Sequence, residues 1–479
     1  MLLTAYAQAT ARRDELHAWV GVFDAQPPPA PVFTVDGQIL QPVRGALAPI
    51  RDAEVDANGL PLNHHGRFVL VPPTPGPWRL EVAAGAGVEP VRLRVDPLPT
   101  ALPTWMDGSF NVLVSSCYFQ KNDKEGLARV VATLPVGLRP QLVLLAGDQI
   151  YGDLPLNLMK ERDAQEIRLD LGRKYRQNWT SEGESPGLRQ VLAQAPVVCL
   201  PDDHEFWNNY PFVQAQIPDT HDPARRAAWA QAASELYQDY QVSEASAVGA
   251  TRLDVGPLRM LLLDMRSERD AGFGQMLAPA AWPVFDQWVA DLLAQGGAGV
   301  LSSGQALFIE RPGPLDSRFK DAEMPNYEAQ FKRLCEGLEQ LAGAGIPVVY
   351  VTGDVHWGRI AQAIDLRHHR PLLYEVIASP SVLISGPWDF ASRAKSWLFD
   401  RGNPWPRHAP AEKVPTDFGP HKLFWLEALQ RSVVGDQVAV LSFAQAGGGV
   451  EFKVTYFGVS ADTALARPQT FGPFGLKTL

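Results

Sequence analysis

The residues of this chain that could do chemistry stand in short polar blocks after apolar runs, and the central block is PQLVLLAGDQIYGD. Residues 142–146 are wholly apolar, which is typical of a strand buried on both faces. Asp148 follows the end of that run, where open α/β sheets bind ligands, and Tyr151 and Asp153 come next in the same loop. Carboxylate and phenol oxygens suit an oxygen-loving cation. A strand ending in Gly-Asp is common, so this block alone indicates a metal site only weakly.

Four further polar blocks also follow apolar runs. They are SSCYF with Cys117, PDDHEFWNN with Asp202, Asp203, His204 and Glu205, LLLDMRSER with Asp264 and Arg266, and VTGDVHWGR with Asp354 and His356. Because the carboxyl ends of parallel strands lie along one edge of a sheet, we expect these side chains to converge. Convergent carboxylates raise each other's pKa, so their stable packing requires a cation. The five blocks together therefore predict a metal site.

The donor types predict that Asp148 lies between two ions. The predicted ligands are Cys117, Asp148, Tyr151, Asp203, Asp354 and His356. The thiol, the phenol and the imidazole would form one side and favour an ion such as iron(III), whereas the other aspartates suit calcium, magnesium or manganese. Each block also has a structural alternative: Cys117 as a buried thiol in a tight turn, Asp264 as a helix cap, and His356 as a core histidine.

The apolar runs that precede the blocks alternate with segments of helical period over residues 111–380. Helices are predicted over 127–134, over 282–293 with a stop at Gly296 and Gly297, and within the insertion 151–195. Alternating strands and helices over this length predict a layered α/β core.

The flanking segments have different patterns. Residues 1–104 contain short strand-like runs separated by Pro-rich and Gly-rich turns, which predicts a small all-β sandwich that binds or packs. Residues 384–425 are crowded with Trp, Phe, Arg, Gly and Pro, and either lie over the site or form an irregular surface patch. Residues 438–458 predict a terminal hairpin that joins the edge of the core sheet.

Composition excludes several classes of protein. A net charge of −10 argues against nucleic acid or an anionic membrane as the main partner. Three cysteines give no disulfide framework, and Cys199 and Cys335 lie in apolar patterns typical of a core. No apolar stretch approaches the roughly 18 residues of a membrane span, and no signal peptide is visible. A cytoplasmic location is expected, with export to a periplasm as the alternative if a leader is missing from this sequence.

The blocks GDQIYGD, PDDHE and GDVHW resemble those of the calcineurin-like metallophosphoesterases, most closely the alkaline phosphatase D family. The likeness also includes the cysteine block and the LD-x-R block, and it runs from about residue 105 to 380. It implies a metallophosphoesterase-type catalytic domain over 105–479, preceded by the family's N-terminal β-sandwich over 1–104. SSC and DDHE stand where the wider superfamily has D-x-H and G-N-H-E, so metal identity cannot be transferred from that superfamily.

The resemblance implies a role for each site residue. Asp148 is similar to the bridging carboxylate. Cys117, Tyr151 and His356 are similar to ligands of iron(III). Asp203 and Asp354 are similar to ligands of calcium, of which one or two ions would bind. Zinc, manganese or magnesium are the alternatives. His204 resembles the histidine beside the scissile phosphate. Arg266 and Arg359 are candidates to bind phosphate oxygens, with a surface salt bridge as the alternative.

The predicted function is hydrolysis of a small-molecule phosphoester, as a phosphatase or phosphodiesterase. A metal-held hydroxide would attack, with Asp148, His204 and Arg266 as catalytic residues. No residue selects a monoester or a diester, and none predicts an oligomer. A non-catalytic metal-binding scaffold with a partner-binding β-sandwich is the alternative. An α/β hydrolase would need a Gly-x-Ser-x-Gly elbow, and SSGQA at 302–306 is not one.

Overall fold

The computed structural model describes residues 1–154, 161–182, 185–309, 323–383, 417–433, 435–459 and 467–477. Residues 384–416, which make up most of the segment predicted to lie over the site or to form a surface patch, are outside the described residues. That prediction stays untested.

The strands are named in chain order. They are β1 (Leu2–Gln8), β2 (Leu16–Phe23), β3 (Val32–Val35), β4 (Gln38–Leu40), β5 (Ala48–Pro49), β6 (His64–Leu70), β7 (Trp78–Ala83), β8 (Val91–Val95), β9 (Phe110–Ser115), β10 (Leu142–Ala146), β11 (Val197–Leu200), β12 (Ala250–Val255), β13 (Leu258–Leu263), β14 (Ala298–Ser302), β15 (Val348–Thr352), β16 (Gly358–Asp365), β17 (Arg370–Ile377), β18 (Asp417–Phe418), β19 (Phe424–Val433), β20 (Gln437–Ala446), β21 (Gly449–Gly458) and β22 (Gln469–Leu476). The α-helices are α1 (Gly126–Ala132), α2 (Ala164–Thr180), α3 (Gly187–Leu192), α4 (Pro223–Tyr240), α5 (Trp282–Gln295) and α6 (Glu328–Gly343).

Two large sheets form the centre of the molecule. Sheet 1 has the order β22-β21-β20-β9-β10-β11-β1-β2-β6-β5, and sheet 2 has the order β12-β13-β14-β15-β17-β16-β19-β18. Apolar side chains of β9–β11, such as Leu144, pack against those of β13–β15, such as Met260. Helices α1–α4 pack on the outer face of sheet 1, and α5 and α6 on the outer face of sheet 2. The layered α/β core is therefore confirmed, with two sheets between two helical layers.

The parallel strands explain where the polar blocks lie, with one correction. Strands β9, β10 and β11 are mutually parallel in sheet 1, and β13, β14, β15 and β17 are parallel in sheet 2. Strands β10 and β11 are apolar along their whole length because both of their faces are buried. We expected the blocks to follow strands of one sheet, which is wrong. They follow strands of two stacked sheets, so the site lies where the two carboxyl edges meet.

The N-terminal segment is all-β, as predicted, and forms a sandwich. Strands β3, β4, β7 and β8 form a third sheet that packs on β1, β2 and β6 through an apolar cluster. One layer of this sandwich is continuous with sheet 1, because β1 pairs in parallel with β11 at Gln8 and Val197. The sequence had not indicated this continuity, since it depends on which distant strand satisfies the edge of β1. A domain boundary at residue 104 stays a prediction.

Several local expectations are confirmed. Helix α5 ends at Gln295 and is followed by its capping residue Gly296, whose φ is 70°. Helices α2 and α3 account for the helical insertion. The terminal hairpin, β20 with β21, joins sheet 1 beside β9. Cys199 and Cys335 are buried core residues.

Within the described parts of the chain, each helix is too short or too polar to span a bilayer.

Candidate metal centre

The loops that follow the parallel strands share an unusual backbone conformation. Cys117, Asp148, Asp354 and His356 have φ values of 52°, 57°, 64° and 60°. This left-handed region is rare for residues other than glycine, and it persists only where the surrounding structure holds it. Its recurrence at strand ends of both sheets marks the edge where a functional site is expected.

Three groups of potential ligand atoms meet at that edge, and within each group the atoms lie within 4.8 Å of one another. The groups are Cys117, Asp148 and His356; Asp148, Asp203 and His204; and Asp148, Asp202, Asp203 and Asp354. Asp148 is common to all three, as its predicted position between two ions requires. The structure thus brings together residues from blocks more than two hundred positions apart in the chain. Their role as ligands stays a prediction.

The thiol of Cys117 lies on one side of Asp148. Its Sγ donates to Oδ2 of Asp148 at 3.3 Å and accepts from the hydroxyl of Ser379 at 3.2 Å. Burial raises the pKa of the Cys117 thiol well above its usual range, and the charges of Asp148 and Asp354 add to the shift. Cys117 can therefore bind as a thiolate only with a cation close by, because the charge of that cation would lower the pKa of the thiol.

Asp148 is fully enclosed and is held from two sides. Its Oδ1 accepts the backbone N–H of His204 at 3.2 Å, and its own backbone N–H donates to Glu205 at 2.9 Å. Burial raises the pKa of Asp148 well above its usual range; His204 opposes this shift, and the carboxylate of Asp203 adds to it. A cation between these carboxylates would remove the repulsion that the shift reflects.

Two buried oxygens test whether a metal fits this site. The hydroxyl of Tyr151 and Oδ2 of Asp202 are enclosed and have no hydrogen-bond partner among the described residues. A buried polar atom without a partner is costly, so such an atom requires an explanation. A cation would satisfy both oxygens, and phenol, thiol, imidazole and carboxylate groups are all metal donors. The residues present therefore fit a metal centre.

The ring of His204 is held by the carboxylate of Asp153. Its Nδ1 lies 2.8 Å from Oδ1 of Asp153, and its ring lies 4.3 Å from the ring of Tyr151. Burial by itself lowers the pKa of His204, but the carboxylates of Asp153, Asp203 and Asp148 outweigh it and raise the pKa well above the usual value. These carboxylates therefore favour the protonated form of His204.

Comparisons with known proteins agree with this geometry. Residues 112–285 match the PhoD-like phosphatase family. A solved structure of PhoD is similar at a TM-score of 0.58 and 14% identity, over 99% of this chain and 92% of that one. Purple acid phosphatase PPD1 from yellow lupin (Lupinus luteus) seeds is similar at a TM-score of 0.56 and 10% identity, over 98% of this chain and 74% of that one. No curated protein sequence matches.

At these identities the two structures show a shared fold alone. Together with the family match, they confirm the resemblance to the calcineurin-like metallophosphoesterases and the predicted fold class. The matched PhoD-like region contains Cys117, Asp148, Asp203 and His204, whereas the block with Asp354 follows it in the chain. A metal-dependent phosphoesterase acting on a small molecule is the class of protein that these findings support.

Two residues that organise the site were not among its predicted members. Glu205 accepts the backbone N–H groups of Asp148, Gln149 and Asp202 at 2.9, 2.7 and 2.8 Å, and so joins the loops after β10 and β11. Burial raises the pKa of Glu205 to about 7. Ser379 contacts both Cys117 and the N–H of His356. Its signal was its position at the end of the apolar run LLYEVIAS.

The two candidate phosphate-binding arginines of the PhoD-like fold are buried. Arg266 pairs with Asp202 at 2.6 Å, and Arg359 pairs with Glu375; all four side chains are at most 2% exposed. The alternative of a surface salt bridge is therefore wrong for both, and phosphate binding stays a prediction. The alternative of a helix cap is wrong for Asp264, because a turn and not a helix follows β13; its carboxylate accepts the N–H groups of Arg266 and Ser267 in that turn.

Proposed function

We propose that this protein hydrolyses phosphoesters at a two-ion site centred on Asp148. The observation that carries the proposal is the meeting of ligand groups around the buried Asp148, where Tyr151 and Asp202 each have an oxygen without a hydrogen-bond partner among the described residues. The match of residues 112–285 to the PhoD-like phosphatases supports phosphoester chemistry over other uses of such a site.

The donor types support different ions on the two sides of Asp148. Cys117, Tyr151 and His356 with Asp148 would hold iron(III), because thiolate and phenolate ligands favour a redox-type ion. Asp203 and Asp354 with Asp148 would hold calcium, as one or two ions, with magnesium, manganese or zinc as alternatives. When bound, such cations supply Lewis-acid polarisation of the phosphoryl group and activate the attacking water.

His204 supplies the proton for the leaving group. Asp153 occupies its Nδ1, so Nε2 is the nitrogen that can face the leaving oxygen. The carboxylates around His204 raise its pKa and so favour its protonated form, which a general acid needs before it donates. The second oxygen of Asp153 accepts the N–H of Asn208 at 3.3 Å, which fixes the carboxylate that orients the ring.

Parallel assays on p-nitrophenyl phosphate and bis(p-nitrophenyl) phosphate test the proposal. We expect the full-length protein to hydrolyse at least one of them, to lose that activity on treatment with EDTA, and to recover it when cations are returned. The ratio of the two rates then separates a phosphatase from a phosphodiesterase. A cation-loaded protein that hydrolyses neither ester would contradict the proposal and favour the non-catalytic scaffold.

A further inference from the structure

Asp202 lies at the junction of the two sheets, although it was not a predicted site residue. It follows β11 of sheet 1 and is fully buried. Gly147, after β10, approaches it so closely that an added Cβ would lie 2.6 Å from Cβ of Asp202. Gly304, after β14 of sheet 2, approaches from the other side, where an added Cβ would lie 3.1 Å away. The backbone around Asp202 is thus held by loops of both sheets.

Arg266 reaches Asp202 from the other sheet. It follows β13 of sheet 2, is 1% exposed, and donates from Nε to Oδ1 of Asp202 at 2.6 Å. Its Nη1 donates to the carbonyl of Tyr210 at 3.0 Å, which lies beyond the DDHE block in sequence. The carboxylate of Asp264 accepts the backbone N–H of Arg266 at 3.1 Å, which holds the backbone of this residue, and the contacts with Asp202 and Tyr210 hold its guanidinium. Arg266 therefore links both ends of the segment that carries Asp203 to the edge of sheet 2.

The orientation of Asp203 depends on how the segment 202–210 is held. The N–H of Asn209 donates to Oδ2 of Asp203 at 2.6 Å, so the orientation of that carboxylate depends on the backbone between residues 202 and 210. A guanidinium remains charged at any ordinary pH, and it holds a planar carboxylate with fixed geometry. Without it, Asp202 would be an unpaired buried charge beside Asp148, Asp203 and Asp354, which is strongly unfavourable.

We propose that Arg266 is a positioning residue that acts through Asp202 to hold the Asp203 segment in the geometry required for cation binding. This role replaces the contact with substrate phosphate that the sequence suggested. The inference rests on the proposed function only in assigning the cations to phosphoester hydrolysis, because cation binding itself can be measured without a substrate.

The test compares Arg266→Gln, Asp202→Asn and the double variant by calorimetric titration of the EDTA-treated full chain with Mn²⁺. We expect Arg266→Gln to weaken Mn²⁺ binding about tenfold or more, as the loss of residues that orient ligands does. In the Asp202→Asn background, Arg266→Gln should alter Mn²⁺ affinity less than about threefold, because the carboxylate that pairs with Arg266 is already gone. Arg266→Lys should fall between the wild type and Arg266→Gln, and it serves if the Gln variant does not fold.

Two controls separate positioning from other roles. Arg162→Gln removes another largely buried arginine, which pairs with Asp219 and Asp170, and should lower thermal stability without changing Mn²⁺ affinity. The inhibition constant of inorganic phosphate, measured at saturating Mn²⁺, should stay within about threefold of the wild-type value in Arg266→Lys. A merely structural role would leave the Mn²⁺ affinity of the folded protein unchanged.

Three results would overturn the proposal. Tighter Mn²⁺ binding by Arg266→Gln would mean that Arg266 acts only as a positive charge that repels the cation. Equal losses in both Asp202 backgrounds would mean that it does not act through Asp202. A large loss of phosphate inhibition with normal Mn²⁺ affinity would restore the substrate contact. A wild-type protein that binds Mn²⁺ but hydrolyses no phosphoester would instead contradict the proposed function, and the calorimetric comparison would still decide the role of Arg266.

Discussion

Replacing Asp148 by Asn perturbs the centre of the proposed site with little change in shape. Asp148 is the carboxylate common to all three groups of ligand atoms. Asn keeps the side-chain size and one acceptor oxygen, so the N–H of His204, which donates to Oδ1 at 3.2 Å, keeps its partner. The variant therefore removes one negative charge and one ligand oxygen while the loops after β10 and β11 stay joined through Glu205.

The expected effects on activity and stability have opposite signs. Losing the shared ligand should lower kcat/KM by about 10³-fold or more, which is about 4 kcal/mol of transition-state stabilisation. Burial raises the pKa of Asp148, so its charged form destabilises the metal-free fold at neutral pH. In EDTA, Asp148→Asn should consequently be at least as stable as the wild type. With a cation at about 100 times its Kd, the wild type should gain about 2.7 kcal/mol that the variant lacks.

The assay is thermal unfolding of both proteins in EDTA and in Mn²⁺, alongside hydrolysis of p-nitrophenyl phosphate. Asp239→Asn is the matched control, because this buried carboxylate of α4 pairs with Arg51 and His65 of the N-terminal segment. It should be destabilised in both conditions and keep its response to Mn²⁺. An Asp148→Asn protein that is active and cation-loaded, or that Mn²⁺ stabilises as much as the wild type, would refute the reasoning.

The remaining predictions concern the acid, the metal and a remote carboxylate. His204→Ala should lower kcat about 10²-fold or more on phenyl phosphate and much less on p-nitrophenyl phosphate, whose leaving group needs no proton; equal losses would contradict the role of acid. Iron(III) bound to Tyr151 should give a visible absorption band that Tyr151→Phe removes, and a colourless, iron-free, active sample would exclude iron. Burial raises the pKa of Asp52 to about 6, so its contribution to stability is lost as pH rises through that value. Relative to the wild type, Asp52→Asn should therefore gain about 1.4 kcal/mol of stability between pH 5 and pH 8 in urea unfolding, and a loss would contradict this.

Local sequence determined the strands, the helices and the polar blocks. The apolar run 142–146 and the loop with Asp148 could be predicted because a doubly buried strand needs apolar residues throughout, and a ligand-binding loop follows its end. Helix α5 could also be predicted, because its apolar residues at helical spacing and the capping Gly296 lie in one short stretch of the chain. The motif order in the five blocks was sufficient to predict the family resemblance that residues 112–285 confirm.

Tertiary structure alone decided how these parts are assembled. The runs 197–200 and 260–263 are both apolar, yet one pairs in sheet 1 and the other in sheet 2. The sequence likewise did not indicate that β1 joins β11, or that Arg266 reaches Asp202 rather than solvent. Strand partners and buried ion pairs join residues far apart in the chain, and their choice depends on how whole faces pack together. Periodicity within a segment reports that a face is buried, but it does not report what covers it.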